Sequence, residues 1–368
     1  MTIKPNFYTM KKLIFALAAI ALAACSNEET IELNRTEAIS FDKTFVDNST
    51  RSVVDPSFTN ENLFTDFAVF GHVQEAVLFN GVTVSKTITN GDLSSAWKYE
   101  GTQYWITGAK YNFSALAPKT NGGWSNAATS VNDEFNTITT TFDFTNNGTT
   151  DLLYSEFEGY EGKLTSNEQV AFTFRHILSK VKFSFENAYN ASAATLRVYD
   201  VKITNAYKTA KAELNVYKYS NGQTVNFTNW ENQAQATDFI LDFGAATDDE
   251  ATTNKENDAT VAFEYGKTYE TQKELFLIPG MIHGGYNVTF KVDLLVNDTK
   301  ITTYEHTATV TFTPAAGYSY DIKAVVNAEN IDPESKQEPI EFTVTSIGGW
   351  TPAEVDDILK VEEDDDNN

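Results

Sequence analysis

The chain has 368 residues, 41% of them hydrophobic and 13% aromatic, and carries a formal net charge of −24. That length suits two domains of roughly 100–200 residues each, and a surface this acidic repels phosphate backbones, which excludes nucleic acid as a partner. The single cysteine, Cys25, excludes an intrachain disulfide and any cysteine-based zinc site.

Met10-Lys11-Lys12 is a basic start, followed by an apolar run from Leu13 to Ala24. The run is about the length of a signal-peptide core and too short to span a bilayer. It ends in Leu22-Ala23-Ala24-Cys25, which resembles the lipobox of bacterial lipoproteins. The resemblance implies cleavage after residue 24, acylation of Cys25 and palmitate-type anchoring in the outer membrane; several acyl chains hold firmly, at about 0.8 kcal/mol per buried methylene. Loss of residues 1–24 takes away Lys4, Lys11 and Lys12 and no acid, lowering the charge from −24 to −27. Ser26-Asn27-Glu28-Glu29 resembles the acidic tag that directs some lipoproteins to the outer face.

Beyond the leader the pattern is β. Ile39, Phe41 and Phe45 share one face of an early strand, and Phe67-Ala68-Val69-Phe70 is a short apolar run before Gly71. Val82, Val84 and Ile88 alternate with Thr83, Ser85 and Thr87, and Lys86 breaks the apolar row as edge strands do. Ile138, Thr140, Phe142 and Phe144 form another face. Phe172 and Phe174 follow, then Val181, Phe183 and Phe185, Val198 to Ile203, Leu275 to Ile278, Val288 to Leu294 and Thr307 to Phe312. Turn signals stand at Asn90-Gly91, Asn121-Gly122 and Asn221-Gly222. With no long helical stripe, the spacing predicts an all-β fold of sandwiches. The polar stretch Glu156–Glu168 is the expected domain boundary, Asp248–Asp258 a long loop, and Glu362–Asp366 a solvated acidic run.

Chemistry is sparse. His72, His176, His283 and His306 form no HExxH or other close ligand pair, so no metal or cofactor is expected. His283-Gly284-Gly285 lacks the G-x-S-x-G elbow a lipase would need and reads as a turn. Trp97, Trp105, Trp124, Trp230 and Trp350 suit either packing or a sugar platform.

Several segments, in order, resemble fimbrillin-like proteins, the subunits of type V pili. They are Thr50-Arg51 with Asn62-Leu63-Phe64 and Phe67–Gly71; Asp151-Leu152-Leu153-Tyr154; Val170–Val181 with its F-x-H-x-x-S-K core at Phe174, His176, Ser179 and Lys180; Leu277-Ile278-Pro279; Tyr318-Ser319-Tyr320; and Ile347-Gly348-Gly349-Trp350. The resemblance implies a non-enzymatic lipoprotein precursor with two tandem transthyretin-like β-sandwich domains. Its divisions are 1–24 signal peptide, 25–37 lipidated linker, 38–165 N-terminal sandwich, 166–350 C-terminal sandwich and 351–368 acidic tail. It also implies cleavage after an arginine by a trypsin-like surface protease, loss of the first strand, and its replacement by a C-terminal strand of a neighbouring pilus subunit.

Of the two candidate arginines, Arg35 precedes the Ile39–Phe45 strand and Arg51 follows it. Only a cut after Arg51 frees the strand and separates the protein from its lipid, so Arg51 is the assigned site. Ile340, Phe342 and Val344 alternate with Glu341, Thr343 and Thr345 and make the expected donor; the same residues also suit the last strand of their own domain. The competing function is a monomeric surface glycan-binding lipoprotein.

Overall fold

The computed structural model describes residues 38–41, 45–46, 64–86, 97–106, 108–132, 137–156, 160–161, 169–218, 224–247, 262–331 and 340–346. Cys25, Arg35, Arg51, Ile88, Trp350, the Asn90-Gly91 and Asn221-Gly222 turns and the Asp248–Asp258 loop lie outside these residues, and Phe45 is described in its backbone alone.

Strands dominate. In chain order they are β1 (Phe45–Val46), β2 (Asp66–Val73), β3 (Ala76–Ser85), β4 (Lys110–Ala117), β5 (Trp124–Val131) and β6 (Thr137–Thr145). There follow β7 (Leu153–Glu156), β8 (Tyr160–Glu161), β9 (Thr173–His176), β10 (Ser179–Asn187), β11 (Ala194–Ile203) and β12 (Tyr207–Lys218). Next come β13 (Thr224–Gln235), β14 (Leu241–Gly244), β15 (Ala246–Thr247), β16 (Phe263–Glu264), β17 (Thr268–Thr271) and β18 (Leu275–Leu277). The last are β19 (Tyr286–Val296), β20 (Thr299–Val310), β21 (Ser319–Val326) and β22 (Phe342–Ser346), with a single helical turn, α1 (Ala328–Ile331), before β22.

Four sheets result. Sheet I has the order β1-β9-β7-β4-β2-β3, with β8 also on β4. Sheet II is β13-β12-β6-β5, sheet III is β15-β17-β10-β21-β22 with β18 also on β10, and sheet IV is β14-β11-β19-β20 with β16 also on β11. Pairing is antiparallel except for β1 with β9 and β10 with β21. β3 does lie at an edge, and Lys86 just beyond it sets its ammonium 4.7 Å from the Trp97 ring centre.

Sheets III and IV face each other across one core. The inward residues of β10 (Val181, Phe183, Phe185) meet those of β11, β19 and β21, with Phe183 against Phe243 at 4.8 Å and Phe185 against Phe290 at 5.2 Å between ring centres. This is the period-two alternation of a sandwich, apolar inward and polar outward. The all-β sandwich expectation is met here.

Sheet I is different, because it is buried on both faces. Along β2, Phe67 and Val69 belong to one core while Ala68 and Phe70 belong to another. Every residue of β4 from Tyr111 to Ala117 is buried. Gly71 has to be a glycine at this depth: a Cβ there would stand 2.8 Å from Phe113 and 2.9 Å from Phe79.

Sheet II covers one face of sheet I, enclosing Leu116, Ile138, Phe142, Phe144, Ala212 and Leu214. Its strands come from both sides of residue 165, since β12 pairs with β6 over Thr209↔Thr145 to Tyr217↔Thr137. The chain also runs from sheet I into sheet III with only Ile177 and Leu178 between β9 and β10, both buried in the core beneath sheet II.

Two histidines, His72 buried and His306 half-buried, give this fold an acid sensitivity. His72, whose Nε2 lies 2.8 Å from Thr129 Oγ1, is held below the ordinary imidazole pKa by burial, a hydrogen bond with the Thr129 backbone opposing this. His306, stacked on Phe290 at 5.0 Å, is likewise lowered by burial. Between the folded and unfolded pKa values the unfolded chain binds more protons, so stability rises with pH; it is fully present above the unfolded value near 6.5 and is lost as pH falls. The His72→Gln/His306→Gln double variant should therefore lose less stability than the wild type between pH 7.5 and pH 5, read as urea midpoints. Comparing the two proteins cancels the change in overall charge repulsion.

Candidate functional site

The second face of sheet I carries Phe67, Val69, Phe79, Val84, Tyr111, Phe113, Ala115 and Phe174. Among the described residues no sheet lies over it. It is covered by chain segments instead: residues 38–41, Phe64, residues 97–106 and residues 170–172. Covering an apolar sheet face with single segments is enough to keep water out, but it spreads little backbone pairing over each segment.

Residues 38–41 occupy the middle of this cover. Ile39 N–H donates to the Gln103 carbonyl (2.8 Å), Val170 N–H donates to the Ser40 carbonyl (2.8 Å), and Tyr99 Oη donates to the Ile39 carbonyl (2.8 Å). Ala38 forms an isolated antiparallel bridge with Tyr104. Further along, Phe45 and Val46 pair in parallel with Thr173 and Phe174 as an edge of sheet I. Regular ladder pairing is thus shorter than the expected Ile39–Phe45 strand, because residues 39–41 lie between two irregular segments and take bonds from each.

Side chains make up the difference. Ile39 and Phe41 are fully buried while Ser40 is half-exposed, the alternation of an inserted strand. Phe41 stacks on Phe172 at 5.7 Å with planes 10° apart. It meets Tyr99 (5.4 Å), Phe79 (5.6 Å), Phe113 (6.2 Å) and Phe67 (6.4 Å) edge-on. Edge-to-face and offset aromatic pairs each contribute about 0.5–1.5 kcal/mol beyond burial alone. One ring therefore closes a pocket of five.

At the other end of the chain, β22 is the edge of sheet III. It pairs antiparallel with β21 over Tyr320↔Ser346, Ile322↔Val344 and Ala324↔Phe342. Ile340 is buried in the core of that sandwich, and Phe342 sets its ring edge-on to Phe183 (5.8 Å), Phe185 (6.3 Å) and Phe290 (5.8 Å). Glu341, Thr343 and Thr345 face solvent, and Val344 is half-buried. The expected donor residues form the last strand of their own sandwich here, on one side of which no strand pairs among the described residues.

The F-x-H-x-x-S-K segment is a structural joint. Phe174 lines the aromatic face. His176 Nδ1 lies 2.6 Å from Asp151 Oδ2, so the aspartate of the D-L-L-Y segment holds the histidine. Ser179 Oγ donates to the Ala315 carbonyl (2.7 Å) and Lys180 Nζ lies 3.0 Å from Glu274 Oε2. These contacts fix the passage from sheet I to sheet III.

The described tryptophans all pack: Trp97 against Phe64 and Phe67, Trp105 against Tyr111, Trp124 against Phe70, and Trp230 against Phe142 and Phe144. Of these four, Trp105 is buried and Trp97, Trp124 and Trp230 are half-buried. Among the described residues no group of three or more His, Cys, Asp or Glu side chains is placed to hold a metal ion, and no helix is long and apolar enough to cross a membrane.

Of the residues lining the Phe41 pocket, Phe67 and Phe172 lie in family-like segments, and the other three are not marked out by any motif. Phe79, Tyr99 and Phe113 show in the sequence only as part of its abundance of phenylalanine and tyrosine.

Residues 50–350 match the family model described as fimbrillin-like. The chain belongs to the fimbrillin-like family. Membership puts it among fimbrial proteins, which act at the cell surface and are not enzymes. The matched region begins one residue before Arg51, so the inserted segment 38–46 lies ahead of it. A fimbrial protein from Bacteroides vulgatus is similar over 84% of this chain and 99% of its own, at 14% identity and a TM-score of 0.49. The fimbrial anchor protein Mfa2 from Porphyromonas gingivalis is similar over 86% of this chain and 99% of its own, at 9% identity and a TM-score of 0.32. No curated protein matches the chain.

Proposed function

We propose that this fimbrillin-like protein is a structural or adhesive subunit of a type V pilus, assembled by protease-triggered donor-strand exchange. In this reading it is exported as a lipoprotein, held in the outer membrane through Cys25, and built as tandem transthyretin-like sandwiches, the first of which takes β9, β12 and β13 from beyond the expected boundary at residue 165. A trypsin-like surface protease cuts after Arg51. The segment bearing Ile39, Phe41 and Phe45 then leaves, and the strand bearing Ile340, Phe342 and Val344 from a neighbouring subunit takes its place. The partners are other pilus subunits, and the product is extracellular.

The observation that carries this reading is the seat of Phe41. A segment of four described residues, held by a few backbone bonds, supplies the ring that closes an aromatic pocket on a face over which no sheet lies among the described residues. Removing it leaves both apolar surface and unpaired backbone groups at Gln103 and Val170, which is the double deficit that an added strand satisfies.

The test is assembly of purified precursor after limited trypsin treatment, followed by electron microscopy. Wild type and Arg35→Ala should form polymers, and Arg51→Ala should remain monomeric. Polymers from Arg51→Ala at the wild-type yield would refute the assigned cut.

A further inference from the structure

The segment to be replaced and the segment proposed to replace it share one spacing. Ile39-Ser40-Phe41 places an aliphatic and an aromatic side chain two residues apart, both inward, with a polar residue between them facing out. Ile340-Glu341-Phe342 has the same order and spacing, with Ile340 buried, Glu341 exposed and Phe342 turned inward. Thr343, Val344 and Thr345 repeat the alternation but offer no second aromatic.

Two features of the groove make this spacing selective. The Phe41 pocket has rings on five sides, one stacked and four edge-on, a geometry that matches a planar ring and leaves gaps around a branched aliphatic. The Ile39 position is fixed by backbone: its N–H and carbonyl are both bonded, to Gln103 and Tyr99, and the next carbonyl is bonded to Val170. Those three bonds depend on chain direction and register and on no side chain of the incoming strand. A one-residue slip would drive Glu341 into an apolar pocket, at the cost of an unpaired buried charge.

We infer that the incoming strand of a second copy runs in the same direction as residues 38–41 and puts Ile340 in the Ile39 seat and Phe342 in the Phe41 pocket, so that the aliphatic-x-aromatic spacing selects the partner. Ile340 N–H then donates to the Gln103 carbonyl, the Ile340 carbonyl accepts from Tyr99 Oη, and the Glu341 carbonyl accepts from Val170 N–H. Glu341 takes the half-exposed place of Ser40 and points its carboxylate outward. This inference rests on the strand-exchange reading.

The experiment uses the whole chain nicked after Arg51, both pieces still together, and a synthetic peptide of residues 338–346. Release of the N-terminal piece and binding of fluorescent peptide are followed together. The wild-type peptide should displace the piece. The Phe342→Ala peptide should bind at least tenfold more weakly, and so should a peptide in which Ile340 and Phe342 are exchanged, although its composition and hydrophobicity are unchanged. Equal binding of the wild-type and exchanged peptides, with the N-terminal piece released by both, would overturn the register while leaving strand exchange standing. An N-terminal piece that no peptide displaces, and that hydrogen exchange shows still seated against residues 103–104 and 170–174, would overturn both.

Discussion

Phe41→Ala is expected to destabilise the precursor by about 3–5 kcal/mol, the range for deleting a fully buried aromatic ring. The upper part of that range applies because five neighbouring rings lose a partner at once and the sheet behind them cannot collapse: Phe113 and Phe67 sit on strands paired on both sides. The irregular cover can move, which would recover part of the loss. Urea unfolding of the intact precursor measures it. The same substitution should speed departure of the N-terminal piece from the nicked chain, because the ring's contacts are made within the seat and vanish once the segment leaves. Phe41→Leu should fall between, keeping volume but not the planar fit.

Leu178→Ala is the second large effect, about 2–5 kcal/mol. Leu178 is fully buried in the core between sheets I and II, where the chain first passes from sheet I into sheet III, and its carbonyl accepts from Gly317 N–H at 2.9 Å. That core gathers residues from widely separated parts of the chain, including Leu116, Ile138, Leu214 and Ile278. A cavity there weakens the coupling of the sandwich of sheets III and IV to the rest. Calorimetry should show the thermal transition of Leu178→Ala broadened or split in two, whereas Phe41→Ala lowers the transition that involves sheet I. The contrast separates a joint residue from a seat residue even where the two costs are similar.

Much of this fold is legible in the sequence because half-buried strands announce themselves by alternation. Ile138, Thr140, Phe142 and Phe144 are all buried on one face of β6, and the Lys86 break does sit beside an edge strand. β4 escaped that reading although Tyr111, Phe113 and Ala115 alternate with Asn112 and Ser114: its polar positions are buried as well, and Leu116 and Ala117 end the alternation. The hairpin β12–β13 is hidden for another reason, polar residues outnumbering apolar ones in Asn226–Gln235. Nothing local reveals that β12 would pair with β6 across the expected boundary, since pairing of distant strands is a property of the whole topology.

The candidate site is legible to the same degree. Ile39, Phe41, Ile340 and Phe342 stand out by spacing, and all four turn inward. The pocket that receives Phe41 is assembled from β2, β3, β4, residue 99 and residue 172, and no stretch of sequence contains it. His176, in the F-x-H-x-x-S-K segment, is held by Asp151 at a joint, and that partner is 25 residues away in the chain.

The groove between Gln103 and Val170 in an assembled polymer decides the matter, and a high-resolution cryo-electron microscopy map of that polymer is the measurement. The account predicts that residues 38–46 are gone and that a strand from the next subunit lies there with an isoleucine and a phenylalanine in the Ile39 and Phe41 seats. A polymer in which each subunit still keeps its own Phe41 between Phe172 and Phe79 would contradict it.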